Sequence, residues 1–460
     1  MIFKKSSSRG LVRRLIPQLI LANAMPPGLL IFIGRFLSRL AIAPEEFRNG
    51  IGALFAPVVK GGGVIFSKLM SRWILDAWEA RQKGKKIILV PFNFVVELIH
   101  AFENAHPLTS EVLTTMALVN LTGQGEPYWD MAMALGLPDH LCSSNTIELG
   151  SILGSDDLSP DAIVSSTPGS CDANAKIHEF VANYLNIPHF FLPKVPDDSR
   201  RGREIYRVYF RRLISQLEEF IGEELEEEKL RRVIERSNRC TQLYWELFDL
   251  QKLSPSPVPN LFSLFLYGVR FTMWGTEEGV EALEALVELV KKNLNSPDYQ
   301  KKEERARCLW TYTSYYFDLA GLFNWMEERG YSHLGDGLDL FFPQERDTSS
   351  KETMLEGIME NSWNMWMTRQ IGAESMHGSW TEDIIWAGKE LRADCMIYNG
   401  HHSCKQTWSV ISIMRKEVMK RLGIPVLVLQ GDGWMKRMTP MSVIQQEIDE
   451  FVQNVITSKS

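Results

Sequence analysis

Three of the six cysteines in this 460-residue chain stand where a thiol can do chemistry. Cys171 lies in Ser165-Ser166-Thr167-Pro168-Gly169-Ser170-Cys171-Asp172, between an apolar run and an amphipathic stretch. Cys404 lies in the same kind of loop, Tyr398-Asn399-Gly400-His401-His402-Ser403-Cys404-Lys405. Cys142 lies in Asp139-His140-Leu141-Cys142-Ser143-Ser144-Asn145, at a helix start or between helices. The positive end of a helix favours thiolate over thiol. Thiolate is the form that ligates iron or zinc, and the form that attacks. The competing reading of each loop cysteine is an inert packed thiol. Cys240 and Cys308 fall in helical-looking stretches, and Cys395 in a strand-like one. All three read as small buried hydrophobes. No Cys-x-x-Cys pair occurs, which leaves a zinc ribbon or thioredoxin-type site without support. Spacings of 29 and 233 residues do not by themselves make one metal site.

The elements that must position these thiols are read from apolar periodicity. Lys86–Phe92, Ala162–Ser166 and Pro188–Leu192 read as strands, separated by helices expected at Phe94–Asn104, Glu111–Val119, Tyr128–Leu135 and Asp172–Leu185. Alternation resumes near Gly337, with strands expected at Leu338–Phe342, Ala393–Tyr398 and Pro425–Leu429, and helices at Thr381–Leu391, Thr407–Leu422 and Met441–Val455. Each α/β segment runs strand, cysteine loop, helix, then a strand opened by Ile-Pro: Ile187-Pro188 in one, Ile424-Pro425 in the other. The expected class is α/β, with two doubly wound, flavodoxin- or Rossmann-like parallel-sheet lobes. The division expected is an N-terminal helical region over 1–84, a first lobe over 85–199, a helical insertion over 200–334 and a second lobe over 335–460. In open sheets the loops at the carboxyl ends of strands line the ligand crevice. Two such loops from two lobes could face each other there.

Composition narrows the function classes. Hydrophobic residues make up 45% and charged residues 23%, so the chain as a whole is globular. A formal charge of −7 removes the main electrostatic term for nucleic-acid binding. Six cysteines are too few for a disulfide scaffold of this length, which fits a reducing cytoplasm. Lys4, Lys5, Arg9, Arg13 and Arg14 precede an uncharged stretch from Leu15 to Gly34 that is broken by Pro17, Pro26 and Pro27. It reads first as packed helices. A membrane-surface segment, or a leader cleaved near Ala22-Asn23-Ala24, are the secondary readings. A membrane partner is not expected.

Four segments give the chain a further likeness. They are Val96-Glu97-Leu98-Ile99-His100-Ala101 with Pro107-Leu108; the Cys142 loop; Val164-Ser165-Ser166 through Ser170-Cys171-Asp172 to Asn186-Ile187-Pro188-His189-Phe190; and Ala393-Asp394 through Cys404 to Gly423-Ile424-Pro425-Val426-Leu427 and Gly431-Asp432. In these the chain resembles the 2-hydroxyacyl-CoA dehydratase and benzoyl-CoA reductase subunit family. The likeness covers roughly residues 60–200 and 370–460. Lys405 follows Cys404 where that family often has arginine. Ser143-Ser144-Asn145 follow Cys142 in place of an aromatic or arginine pair.

The resemblance implies an oxygen-sensitive [4Fe-4S] cluster ligated by Cys142, Cys171 and Cys404, with one iron left open as a Lewis acid. It implies a lyase reaction. An ATP-dependent iron–sulfur activator would supply one electron, and water would then leave a 2-hydroxyacyl-CoA by a radical elimination. The expected partners are the acyl-CoA substrate, the activator, and a paralogous subunit or a second copy. The alternatives are a ring-reducing subunit of the benzoyl-CoA reductase type, a relative with a larger double-cubane cluster, and a non-catalytic cluster-binding partner in electron transfer. Too few cysteines are well placed for the double cubane. Glu97 matches an acidic position of the family. It reads equally as a proton-transfer group and as a carboxylate at a helix N-terminus. Asp432 reads first as a turn residue. His401 and His402 read first as exposed loop histidines, with a place behind a cluster ligand as the second reading.

Overall fold

A computed structural model describes residues 11–40, 45–112, 125–154, 159–166, 171–194, 199–297, 299, 303–364 and 378–457. Eight strands form two four-stranded parallel sheets. The first holds β1 (Lys86–Val90), β2 (Ala105–Thr109), β3 (Ala162–Ser165) and β4 (His189–Phe191), in the order β2-β1-β3-β4. The second holds β5 (Ala306–Trp310), β6 (Tyr331–His333), β7 (Cys395–Tyr398) and β8 (Val426–Val428), in the order β6-β5-β7-β8. The class is therefore α/β, with two parallel-sheet lobes of one topology. β1, β3, β5 and β7 are buried along almost their whole length, as strands covered on both faces must be.

The chain steps one way from the first strand of each sheet to the second, then returns to the other side. The reversal leaves a crevice between the carboxyl ends of β1 and β3, and another between those of β5 and β7. Both crevices are cross-linked alike. Ser166 donates its hydroxyl proton to Asn93 Oδ1 in the first (2.7 Å), and Asn399 donates to Thr313 Oγ1 in the second (2.8 Å).

The Ile-Pro repeat has a structural counterpart. The Asp172–Leu185 helix ends at Asn186 with φ 54°, and the Lys405–Leu422 helix at Gly423 with φ 72°. Each left-handed residue stops its helix and turns the chain into an Ile-Pro step and the last strand of its sheet.

Several elements fall elsewhere than the sequence suggests. Only Glu97–His100 is helical within the expected Phe94–Asn104 helix, and β2 follows it. β2 contains Pro107, which a sheet tolerates because β2 is an edge strand. Leu338–Phe342 is a turn and loop, not a strand. The first two strands of the second sheet lie earlier, at 306–310 and 331–333, inside the segment read as wholly helical. Cys308 therefore sits on a strand. The charged run Glu303-Glu304-Arg305-Ala306-Arg307 imitates a solvated helix. Instead Arg307 is buried and pairs with Glu304 at 2.9 Å. The expected helix from Glu111 to Val119 begins with Ser110–Val112, and its remainder lies outside the described residues.

Candidate three-cysteine site

Each loop cysteine stands at the start of a helix. Cys171 caps Asp172–Leu185 in extended conformation, and the Asn174 amide donates to its sulfur at 3.5 Å. Cys404 caps Lys405–Leu422. Cys142 immediately precedes Ser143–Gly154. The Cys171 loop follows β3 and the Cys404 loop follows β7, so these two thiols occupy equivalent places in the two lobes. All three are free and partly exposed, whereas Cys240, Cys308 and Cys395 are buried. Cys308 and Cys395 are register partners on β5 and β7, their sulfurs 3.6 Å apart.

Direct contacts join the three loops. His401 Nε2 lies 3.5 Å from Cys142 Sγ. The Ser143 hydroxyl donates to Asp432 Oδ1 at 2.6 Å. Gln406 Nε2 donates to Asp172 Oδ1 at 2.8 Å, which ties the helix behind Cys404 to the helix behind Cys171. Cys171 Sγ lies 3.8 Å from Asn145 Oδ1, on the helix behind Cys142. Desolvation, with the nearby Cys142 and Cys404, pushes the Cys171 thiol well up. Desolvation also raises Cys142, opposed by the Asn145 and Ser144 amides. The helix-end amides thus act in the expected direction on Cys142 and Cys171, but loss of water outweighs them. These two thiols keep their protons until a cation gathers near them.

Donors suited to a thiolate surround the sulfurs. The His401 imidazole is buried, which lowers its pKa and keeps it neutral. Its Nδ1 accepts the Gly433 N–H at 3.2 Å, so in the neutral ring Nε2 carries the proton that faces Cys142. Tyr312 OH stands 3.3 Å from Cys404 Sγ. His401 is therefore not the exposed histidine of the first reading, while His402 is exposed. Asp432 is buried. It accepts the Trp434 and Met435 amides at 2.8 and 3.0 Å, as a turn-capping aspartate does, and the Ser143 hydroxyl besides.

A buried polar network stands behind Cys171 that sequence reasoning missed. Glu111 Oε1 accepts from Asn174 Nδ2 at 2.6 Å, and its Oε2 accepts the Phe92 amide at 3.0 Å. His178 bridges Glu148 at 3.1 Å and Ser165 at 3.2 Å. Burial lowers the His178 pKa, but Glu148 outweighs it and the net shift is upward. One signal was legible. Asn174 and His178 are polar residues on a buried helix face that is otherwise apolar, with Ile177, Val181 and Ala182.

Glu97 has a different set of partners. It is buried beside Ser237, whose hydroxyl lies 3.4 Å away, and Arg270, whose guanidinium lies 4.0 Å away. Burial pushes its carboxyl up and lowers Arg270. Glu97, Arg270 and Arg346 line a cavity of about 310 Å³ with Trp274, Phe341 and Asn361. The Arg270 guanidinium lies over the Phe341 ring at 4.7 Å.

Among the described residues, no three His, Cys, Asp or Glu side chains stand close enough to hold one metal ion. A cubane cluster asks for something else. Each thiolate binds a different iron, so the ligands stand farther apart than around a single ion. Three thiols on three separate loops, with N–H and O–H donors beside the sulfurs, fit that requirement.

Residues 91–455 match the family described as 2-hydroxyglutaryl-CoA dehydratase, D-component. The chain belongs to that family. Among curated dehydratase relatives, it is 26% identical over 249 residues to the (R)-phenyllactyl-CoA dehydratase alpha subunit of Clostridium sporogenes, covering 51% of this chain and 59% of that protein. It is 22% identical over 282 residues to the lactoyl-CoA dehydratase subunit alpha of Anaerotignum propionicum, covering 59% of this chain and 64% of that protein. The matches thus span about three-fifths of the length of these relatives. All three loop cysteines lie within the dehydratase D-component match; residues before 91 lie outside it.

Proposed function

We propose that this chain is the cluster-binding subunit of a 2-hydroxyacyl-CoA dehydratase. In this reading Cys142, Cys171 and Cys404 hold a [4Fe-4S] cluster. The observation that carries it is the meeting of three partly exposed thiols, each at a helix start, in a member of the dehydratase D-component family. When bound, such a cluster supplies one-electron transfer and one iron without a protein ligand, open to a thioester oxygen.

The chain's own groups do the rest. Once the sulfurs are thiolates, the Asn174 amide and His401 Nε2–H point protons at two of them, and the Tyr312 hydroxyl, which accepts from the Cys404 thiol, can turn its own proton to the third. Asp432 ties its own loop to the Cys142 helix through Ser143, and the His402 amide, donating to the Gly431 carbonyl at 2.8 Å, joins that loop to the His401 loop. Burial raises the pKa of the Glu97 carboxyl at its cavity, which suits it to serve as acid toward an acyl group. The relatives' names, alpha subunits of dehydratases, support a partner subunit. A paralogous one and an ATP-dependent activator complete the proposed assembly.

The test is anaerobic purification with iron and sulfide analysis and an EPR spectrum after reduction. About four irons per chain are expected. Cys404→Ala should lose them and Cys308→Ala should keep them. Equal iron in both variants overturns the ligand set. Activity is then sought with a panel of 2-hydroxyacyl-CoA esters and a candidate activator. An intact cluster that turns over none of them identifies an electron-transfer subunit instead. Glu97→Gln should lower turnover by about 10²–10⁴ with iron unchanged.

A further inference from the structure

The N-terminal helices carry a surface that the dehydratase reading does not use. Leu11–Ala24 packs on the long Gly62–Gln82 helix, and Pro27–Leu37 packs on that helix and on Glu45–Leu54. Their buried sides are accounted for: Leu30 and Gly34 face inward, and a Cβ at Gly34 would run into the Phe55 ring. Their outer sides carry large exposed apolar side chains, interrupted by the exposed Gln18 and Arg35. Ile20 is 54% exposed, Leu21 57%, Phe32 67% and Phe36 55%, with Leu29 also exposed. Leu29, Phe32 and Phe36 follow at three- and four-residue steps, which places them on one face of the helix. A bare row of large apolar side chains marks an interaction surface.

Charge selects the occupant. Residues 1–44 hold seven basic residues, Lys4, Lys5, Arg9, Arg13, Arg14, Arg35 and Arg39, and no acidic one. The remainder holds 43 of the 50 basic residues and all 57 acidic ones. A segment of one sign on a chain of the opposite sign, joined to protruding Phe, Ile and Leu, is the pattern of helices that lie in an anionic bilayer surface. No helix among the described residues is long and apolar enough to cross a membrane, which fits lying on it. The helices also precede the family match at residue 91, so they stand apart from the part of the chain shared with the dehydratase family.

We propose that Leu11–Leu37 docks this protein on an anionic lipid surface, with Phe32, Phe36, Leu29, Leu21 and Ile20 entering the interface and the positive charge of residues 1–44 supplying the attraction to the headgroups. This revises the expectation that no membrane partner is involved. It does not depend on the cluster.

Flotation of the full-length protein, purified anaerobically, tests it. The vesicles are phosphatidylcholine alone, or phosphatidylcholine with about one-third phosphatidylglycerol. The protein should float with the anionic vesicles and not with the neutral ones. Its binding should fall as salt rises from about 0.1 M to about 1 M and the screening length shrinks from about 10 Å to about 3 Å. The double variant F32S/F36S should bind about tenfold more weakly or less, because two rings no longer enter the interface. Its iron content and melting temperature should match wild type, since both side chains are exposed. No flotation, or equal flotation with both vesicles, overturns the proposal. So does a wild-type dimer that F32S/F36S converts to monomer without any change in flotation, which would make the face a protein interface.

Discussion

His401 Nε2 lies 3.5 Å from the sulfur of Cys142, 259 residues away in the sequence. The ring comes from the loop after β7 and the thiol from the segment between β2 and β3. One imidazole proton therefore spans from lobe to lobe. Removing it should leave the three thiols in place and weaken their hold. His401→Ala is expected to retain iron on purification but release it to a chelator with about 10- to 100-fold lower apparent affinity, the usual scale for a group behind a metal ligand. Anaerobic chelator titration measures this. Unchanged iron release would reduce the contact to packing.

Glu111 is a second lever, and a structural one. Its carboxylate accepts from Asn174 and from the Phe92 amide, both in buried surroundings. Glu111→Ala would strand these donors at about 1–3 kcal/mol each. Urea denaturation of the anaerobic protein should show a loss of about 3 kcal/mol or more. A loss below about 1 kcal/mol would show that water replaces the carboxylate readily.

The fold's repeat was legible in the sequence, and so were the cysteine loops. The reason is local: Ile187-Pro188 and Ile424-Pro425 follow helices of clear period, and each helix begins at a cysteine. β2, β5 and β6 were not legible. Ala105–Thr109 contains a proline that only its edge position permits, and the partly buried Glu304 before Cys308 is hydrogen-bonded by hydroxyls distant in sequence, those of Ser254 and Ser332. The Glu111–Asn174 and His401–Cys142 contacts were hidden for the same reason. They are pairings across the fold, which no local pattern encodes.

Asp336 and Asp339 make stability fall as pH rises. Both are buried in the loop after β6, and burial pushes both carboxyls up, Asp336 to about 7. Between the unfolded value near 4 and the folded value, the native state binds more protons than the unfolded one. For Asp336 the stabilisation is therefore complete below about pH 4 and is lost progressively toward about pH 7, at up to about 1.4 kcal/mol per pH unit, and Asp339 acts in the same direction. The pair titrates as a unit. Asp339→Asn should flatten the pH dependence of the urea midpoint over this window. An unchanged slope would assign the effect to other groups.

Gly400 sets the path of the Cys404 loop. Its φ is +61°, and a Cβ there would meet the Leu429 carbonyl oxygen at 1.9 Å. Gly400→Ala should cost at least about 1–2 kcal/mol from the backbone alone. It should also lower iron content by shifting the strand-to-helix turn. Full iron with unchanged stability would show that the loop relaxes around the methyl group.

The shared strand order of the two sheets has a consequence for symmetry. Cys171 and Cys404 are mates under the pseudo-equivalence of the lobes, each after the third strand and each capping the next helix. Cys142, between β2 and β3, has no mate, for the segment between β6 and β7 contains no cysteine. A duplicated fold that repeated all its ligands would offer four thiols and close a four-iron cluster on every side. This one repeats a single loop thiol and adds an unmatched one. The vacant corner of the proposed centre is thus the place where the second half of the molecule departs from the first.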